Sequence, residues 1–226
     1  IINGTVNFEE ITLIAADLFV NGILTVKNLA LQNNSLLTHS PASTTKTHSL
    51  TIKAESINID ESSKIDVDSR GYLGAYRNGN TGRYGRTLGN TTTGGSYGYS
   101  GGSYGGYGGK YSTHNVNEIY GSIYEPSDAG SGGAGENTSY SGSNGGGVLK
   151  ISASEINIDG KISSSGQTPN SCGGGGSGGS VWIVTGSLSG SGTISANGAG
   201  TGTSYGASGG GGRIAVYYTD ASSFVG

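Results

Sequence analysis

Short runs of alternating apolar and polar residues recur along this chain, and they recur in one order. Two units show the order most clearly: residues 50–54, 57–60 and Ile65, and residues 149–153, 156–160 and Ile162. Alternation with a period of two places every second side chain on one face of a β-strand. Each unit therefore predicts three short strands with an apolar face and a polar face.

Two earlier segments extend the repeat toward the start of the chain. Residues 11–15 and 18–22, with Leu24, align with the unit that begins at Leu149 at a constant offset of 138 residues. Residues 24–26 and 29–31, with Leu37, fit the same template more loosely. A repeat of 20 to 50 residues built from short strands is typical of a solenoid.

The repeat also continues after residue 147. Val148, Val181 and Ile214 lie 33 residues apart, each just after a Gly-rich run. Leu188 and Ile194 take the places of Ile156 and Ile162. Corner pairs of the kind that sharp turns demand stand at 21–22 and 159–160, with 191–192 equivalent to the latter pair.

These patterns predict an all-β fold, a parallel β-helix (β-solenoid) of about five to six coils that forms a single domain over residues 1–226. An antiparallel sandwich of hairpins is the competing fold, but it does not explain why the same strand order returns. We expect these residues to point inward: Leu13, Val20, Ile52, Ile57, Ile59, Ile151, Ile156, Ile158, Val181, Ile183 and Ile194. We expect these to be exposed: Lys53, Asn58, Lys150 and Asn157.

Residues 71–147 have a different composition. Of these 77 residues, 24 are Gly and 11 are Tyr. Composition alone is typical of a flexible linker, but a Gly-rich backbone becomes ordered where neighbouring chains pack closely and satisfy its amides. We predict one long Gly/Tyr-rich insertion at a corner of the solenoid, with shorter Gly-rich insertions at 167–179 and 199–212 leaving the same corner. Such loops commonly carry the binding face of a repeat protein.

Composition also excludes several classes of function. The net charge is −3, so the chain offers neither a nucleic-acid footprint nor a polybasic membrane patch. No run approaches the length of a membrane span, and no signal peptide is visible. The chain starts at Ile1 and contains no Met, which predicts a processed or truncated product. A single cysteine, Cys172, excludes an internal disulfide and a multi-cysteine metal site.

Three segments carry a family resemblance: residues 173–183 (GGGGSGGSVWI), 190–198 (GSGTISANG) and 209–218 (GGGGRIAVYY). They resemble the glycine-rich parallel β-helix modules of large bacterial secreted and surface proteins. Residues 56–74 resemble the preceding coil of those modules. The resemblance implies a location and an architecture rather than an activity, and the Tyr-rich stretch is longer and more aromatic than it implies.

Candidate catalytic and metal-binding residues are few. Three histidines lack metal-ligand spacing and are interpreted as solvated polar residues: His39, His48 and His114. Four acidic residues are candidate Ca²⁺ ligands at a coil rim, with a plain solvated edge as the favoured interpretation: Asp60, Glu61, Asp66 and Asp68. Glycosidases need two carboxylates that face one cleft, and no such pair recurs across the coils. We therefore expect no enzymatic activity and no cofactor.

The expected function is structural or adhesive. We predict a non-enzymatic extracellular or cell-surface protein, a self-assembling subunit of a fibre or filament whose partners are copies of itself. The chain opens and closes on apolar alternating strands without a polar cap, a combination that recruits further strands. The candidate assembly residues are Ile1, Ile2, Val6, Phe8, Ile214, Val216 and Tyr218. In the rival outcome, neighbouring domains of a longer polypeptide cover both ends.

Carbohydrate binding is the alternative function, with surface glycans as partners. Tyrosine rings supply flat apolar area together with a polar hydroxyl. The candidate stacking residues are Tyr72, Tyr76, Tyr84, Tyr97, Tyr104 and Tyr107. A polysaccharide lyase or hydrolase on a β-helix is a weaker alternative, because it rests on analogy of fold alone.

Overall fold

The computed structural model describes residues 1–202 and 205–226, and this part of the chain forms β-strands and irregular segments without a helix. The strands are β1 (Ile2–Ile14), β2 (Asp17–Gln32), β3 (Leu36–Thr38), β4 (Leu50–Ile59), β5 (Lys64–Asp66), β6 (Val148–Ile158), β7 (Lys161–Ser163), β8 (Ser180–Gly190), β9 (Thr193–Ser195) and β10 (Arg213–Phe224). Thr203 and Ser204, which belong to the predicted insertion 199–212, lie outside the described residues. None of the described residues forms a helix that is long and apolar enough to cross a membrane.

All of the strand pairings between these elements are parallel. The long strands pair in the order β1, β2, β4, β6, β8 and β10. The first three residues of β2 pair instead with β3, and the short strands β5, β7 and β9 continue this second sheet. Parallel neighbours require the chain to travel back before each new strand. The prediction of an all-β, solenoid-like parallel fold is confirmed.

Like residues stack on one another from strand to strand and form the core. One row contains Val6, Leu24, Ile52, Ile151, Ile183 and Val216. A second contains Ile11, Leu29, Ile57, Ile156 and Leu188. The short strands add Leu18, Leu37, Ile65, Ile162 and Ile194. Each Ile or Leu side chain that is fully buried contributes about 1.5–3 kcal/mol to folding.

The predicted inward and outward positions agree closely with these rows. Nine of the eleven inward residues are fully buried, whereas Leu13 and Ile194 are half-buried. Leu13 lies in β1 and Ile194 in β9, the last strands of their sheets in the described part of the chain. Lys53 and Asn58 are exposed, but Lys150 and Asn157 are half-buried. The Lys150 ammonium lies 3.6 Å from the centre of the Trp182 ring, and Asn157 donates to the Asn58 side chain at 2.9 Å.

The register corrects part of the predicted repeat. Ile11 pairs with Leu29 and is thus equivalent to Ile57 and Ile156, so the alignment of Ile11 with Leu149 at an offset of 138 was wrong. The looser fit of residues 24–37 holds for Leu29 and Leu37. Alternation alone cannot fix register, because an alternating run matches itself after any even shift.

Two smaller predictions about anchors and corners also change. Leu149, not Val148, is the partner of Val181. The 21–22 pair lies inside β2, where Gly22 adopts φ +138° and passes so close to Gly4 that a Cβ would lie 2.4 Å from its carbonyl oxygen. The equivalence of 191–192 with 159–160 is supported by the hydrogen bonds from Gly192 N–H to Ile158 O and from Thr193 N–H to Gly160 O.

Residues 71–147 connect β5 to β6 and pack their backbone against 174–179 and 209–212. Hydrogen bonds recur at every third residue: the N–H groups of Tyr72 and Ala75 donate to the carbonyls of Gly130 and Gly133, whose own N–H groups donate to Gly146 and Ser143. A three-residue period is that of a polyproline II helix. We call segments 71–75, 130–135, 142–147, 174–179 and 209–212 the glycine layer. A Cβ on Gly133 would lie 2.0 Å from the Gly174 carbonyl oxygen, so only glycine allows this spacing.

Candidate binding site and open sheet edges

A surface cavity of about 810 Å³ lies within the Gly/Tyr-rich segment. Three of the six candidate stacking tyrosines line it: Tyr84, Tyr97 and Tyr107. The remaining lining consists of Gly94, Gly95, Gly108, Lys110, Thr113, His114, Asn115, Val116 and Glu118. Separate turns of one loop segment therefore bring aromatic and polar side chains to the same concave surface.

Tyr84 and Tyr97 form one wall of the cavity. Their ring centres are 4.9 Å apart and the rings are tilted by 40°. The rings of His114 and Tyr97 form a T-shaped pair with their centres 5.2 Å apart. Arg83 donates to the Tyr97 hydroxyl at 3.2 Å and forms an ion pair with Glu136 at 2.7 Å. The orientation of the Tyr97 ring is thus fixed from two sides.

Tyr107 contributes a further aromatic ring to the lining. Its hydroxyl donates to Glu118 Oε2 at 2.6 Å, and the hydrogen bond and negative charge of this carboxylate raise the pKa of Tyr107. Tyr107 is 58% exposed and Tyr84 is 43% exposed. Two rings of the cavity are therefore accessible to a ligand, and a carboxylate holds one of them in place.

Glycines let the backbone around the cavity approach closely. A Cβ on Gly95 would lie 2.0 Å from the carbonyl oxygen of Gly85. Gly98 has φ +70°, and its Cβ would lie 2.0 Å from Nδ1 of His114. This Nδ1 atom is buried and has no hydrogen-bond partner among the described residues. The His114 ring is therefore positioned by packing against Gly98 and Tyr97.

The other three candidate tyrosines do not join this site. Tyr72 and Tyr104 are buried, so their rings cannot serve as surface platforms, and Tyr76 is half-buried and outside the cavity lining. The Tyr104 hydroxyl forms a 2.7 Å hydrogen bond with Ser180 Oγ at the start of β8, and its ring packs on Tyr120. Burial raises the pKa of both Tyr72 and Tyr104. The Tyr104 hydroxyl thus links the Gly/Tyr-rich segment to β8.

The cavity also contains side chains that the sequence did not single out for binding. Lys110, His114 and Glu118 lie in a stretch with little glycine and no clear alternation. The one signal that could have found them is their position within the same Gly/Tyr-rich segment as Tyr84 and Tyr107. Their convergence depends on the turns of the loop, which the sequence pattern does not reveal.

Three of the four candidate Ca²⁺ ligands are occupied by protein donors. Asp60 accepts from the Asn33 and Ser62 amides, and hydrogen bonds from the Ser63 side chain and the Asn33 amide lower its pKa to about 2. Asp66 pairs with Lys64 at 2.9 Å, and Asp68 accepts from Ser163 and pairs with Lys161. Glu61 is exposed. No group of three or more candidate metal ligands is present among the described residues.

His39 is not the solvated residue that the sequence suggested. It is completely buried, and burial lowers its pKa from 6.5 to about 4. Its Nδ1 atom lies 2.8 Å from the carbonyl oxygen of Ser40, and its Nε2 atom lies 3.2 Å from the amide nitrogen of Val148. His48 and His114 are half-buried. The interpretation of His39 as a solvated residue was therefore wrong. The sequence could not show its burial, because its partner Val148 lies 109 positions away.

The second candidate site is the pair of open sheet edges. Within the described residues β1 pairs with β2 alone and β10 pairs with β8 alone. Of the candidate assembly residues, Ile1, Phe8, Ile214 and Tyr218 are exposed, whereas Ile2, Val6 and Val216 are half-buried against the core. Each outer strand thus presents free backbone groups beside incompletely covered apolar side chains.

Comparison with known proteins identified no relative: no family model, no curated protein and no solved structure matches this chain. The resemblance to glycine-rich parallel β-helix modules stays a prediction.

Proposed function

We propose that this protein is a non-enzymatic, extracellular structural or adhesive protein whose copies assemble end to end into a surface fibre or filament. In this proposal the chain is a β-solenoid of five to six coils with Gly/Tyr-rich insertions at one corner. One observation carries the proposal. The apolar rows of the core run to both outer strands, where Val6 at one end and Val216 at the other are only half-covered.

The register between strands specifies how two copies would join. Val6 and Val216 belong to the same row, so a parallel β1 of one copy stacked on β10 of the next would place them side by side. The same junction brings Phe8 beside Tyr218. It would pair the unused backbone groups of both edges and bury apolar area, which are the two stabilising terms of strand addition.

The junction also contains one unfavourable pair. In this register Glu10 of one copy lies beside Asp220 of the next, because both occupy the row of Asn28, Ser56, Glu155 and Ser187. Like charges directly opposite each other in a sheet are destabilising. Charged residues on an edge strand are a common means of limiting uncontrolled strand pairing. Assembly should therefore depend on ionic strength.

Two complementary variants test the head-to-tail junction. Val6→Asp blocks the β1 edge and Val216→Asp blocks the β10 edge, so each variant alone should stay monomeric in analytical ultracentrifugation. An equimolar mixture retains one intact pair of edges and should form dimers that do not grow. Thr5→Asp, on the outward face of the same strand, should still form fibres visible by electron microscopy.

Several outcomes would contradict the proposal. Fibres formed by either blocked variant would show that assembly uses another surface. A monomeric wild-type chain at high concentration would favour the rival reading, in which flanking domains cover both edges. A mixture that remains monomeric would exclude the head-to-tail register.

A further inference from the structure

We infer that the cavity lined by Tyr84, Tyr97 and Tyr107 is a binding site for an uncharged saccharide. This inference is independent of fibre assembly, because no residue of β1 or β10 lines the cavity. Three features of the cavity carry it: the accessible aromatic rings, the balanced charge of the polar lining, and the contacts that hold three of the lining side chains in place.

The aromatic rings provide the flat apolar surface that a sugar ring requires. A pyranose has faces of C–H groups that pack on an aromatic ring, while its hydroxyl groups at the periphery require hydrogen-bond partners. Tyr84 and Tyr107 are both partly exposed and both line the cavity. Its volume of about 810 Å³ falls within the ~300–1,000 Å³ range of ligand sites.

The polar lining indicates the class of saccharide. Lys110 and Glu118 carry opposite charges, and the remaining polar side chains, Thr113, His114 and Asn115, offer hydroxyl, imidazole and amide groups. Such groups both donate and accept hydrogen bonds, as sugar hydroxyls do. An acidic polysaccharide would instead require an excess of Lys or Arg, which this lining does not contain.

Three of the lining side chains, Tyr97, Tyr107 and His114, are also held in place before any ligand binds. Arg83 holds the Tyr97 hydroxyl, Glu118 holds the Tyr107 hydroxyl, and Gly98 packs directly against His114. Because these side chains are already ordered, binding costs little conformational entropy. The Tyr107–Glu118 hydrogen bond orients a ring that would otherwise rotate freely at the surface.

Saturation-transfer NMR on the full chain tests the inference with defined probes: cellohexaose, mannohexaose and chitohexaose as neutral oligosaccharides, and hexagalacturonate as an acidic one. At least one neutral hexamer should bind, and Tyr84→Ala and Tyr107→Ala should each weaken its binding tenfold or more. Tyr107→Phe, which keeps the ring and loses the contact with Glu118, should weaken binding less than Tyr107→Ala. Tyr140→Ala, an exposed tyrosine of the same insertion outside the cavity, should not change it.

Circular dichroism and the thermal midpoint of each variant establish that loss of binding is not loss of fold. Absence of binding by all three neutral hexamers would overturn the inference. It would equally be overturned by stronger binding of hexagalacturonate, or by neutral binding that survives both alanine variants. The variant Val216→Asp, which cannot assemble at the β10 edge, retains the cavity. Repeating the NMR binding measurements on this variant therefore distinguishes loss of saccharide binding from loss of fibre assembly.

Discussion

The backbone N–H of Val148 donates a hydrogen bond to Nε2 of His39 at 3.2 Å, across 109 positions of sequence. Val148 is the first residue of β6, where the chain returns from the long Gly/Tyr-rich segment. Since Nε2 accepts this bond, the proton of the neutral ring resides on Nδ1, which donates to the carbonyl oxygen of Ser40. The position of the chain at the start of β6 therefore depends on a hydrogen bond that only the uncharged imidazole of His39 can accept.

Acidification should destabilise the protein through His39. Its pKa is about 4 in the folded protein and 6.5 in its ordinary state, so the unfolded chain binds the extra proton first as the pH falls. The contribution of His39 is present above about pH 6.5 and is lost between pH 6.5 and pH 4, a change of about 3 kcal/mol. Urea unfolding at several pH values measures this loss. Asp60, whose pKa is lowered to about 2, affects the stability of the fold only below about pH 4.

A glutamine variant provides the control for this pH dependence. His39→Gln keeps an acceptor for Val148 and removes the titrating group, so its unfolding free energy should vary much less between pH 6.5 and 4. His48→Gln should retain most of the decrease. An unchanged slope in His39→Gln would assign the acid sensitivity to other residues.

A single added methyl group should destabilise the fold at the closely packed positions of the glycine layer. Gly133→Ala places a Cβ 2.0 Å from the Gly174 carbonyl oxygen, and backbone cannot move aside without breaking neighbouring hydrogen bonds. We expect a loss of at least about 2 kcal/mol in the free energy of unfolding. Gly211→Ala, in the same layer with no atom near its Cβ position, should change stability by less than about 1 kcal/mol. Similar effects of both substitutions would refute the close packing.

The stacked core rows should not tolerate a charge. Ile158→Asp buries a carboxylate without a partner at a position with no exposed area, and should cost more than about 3 kcal/mol. Ser152→Asp, on the exposed face of the same strand, should remain close to wild type. Thermal unfolding monitored by circular dichroism distinguishes the two. A mild effect at Ile158 would contradict its inward orientation.

Fibre assembly should respond to the charge at the proposed junction. Replacing Glu10 by Gln removes its repulsion of Asp220 and should lower the protein concentration at which fibres form at low salt. Added salt should narrow the difference between variant and wild type, because it screens exposed charges. Glu55→Gln, exposed on the interior strand β4, serves as the control. Equal responses of the two variants would exclude the Glu10–Asp220 contact.

The sequence predicted the core better than the register or the site. The alternation around Ile57 and Ile59 is so regular that their burial could be predicted directly. The register of Ile11 was harder to predict, because the interval between equivalent positions in β1 and β2 is shorter than the later intervals. Tyr72 and Tyr107 both stand beside glycines, yet one is buried and the other exposed. Their environments are set by segments that fold back from tens of residues away, as is that of His39. Local pattern contains no information about such partners.

Successive equivalents of Gly4 in the long strands are separated by intervals of 18, 28, 99, 32 and 33 residues, yet these positions remain in register from strand to strand. Loop-closure entropy grows only logarithmically, so lengthening one interval from 28 to 99 residues costs about 1 kcal/mol. The exposed turn at residues 122–125, within this long interval, is therefore a suitable place to insert further sequence. Foreign peptides or whole domains joined there would be displayed at a fixed spacing along any array of this protein, with no redesign of the strands beneath them.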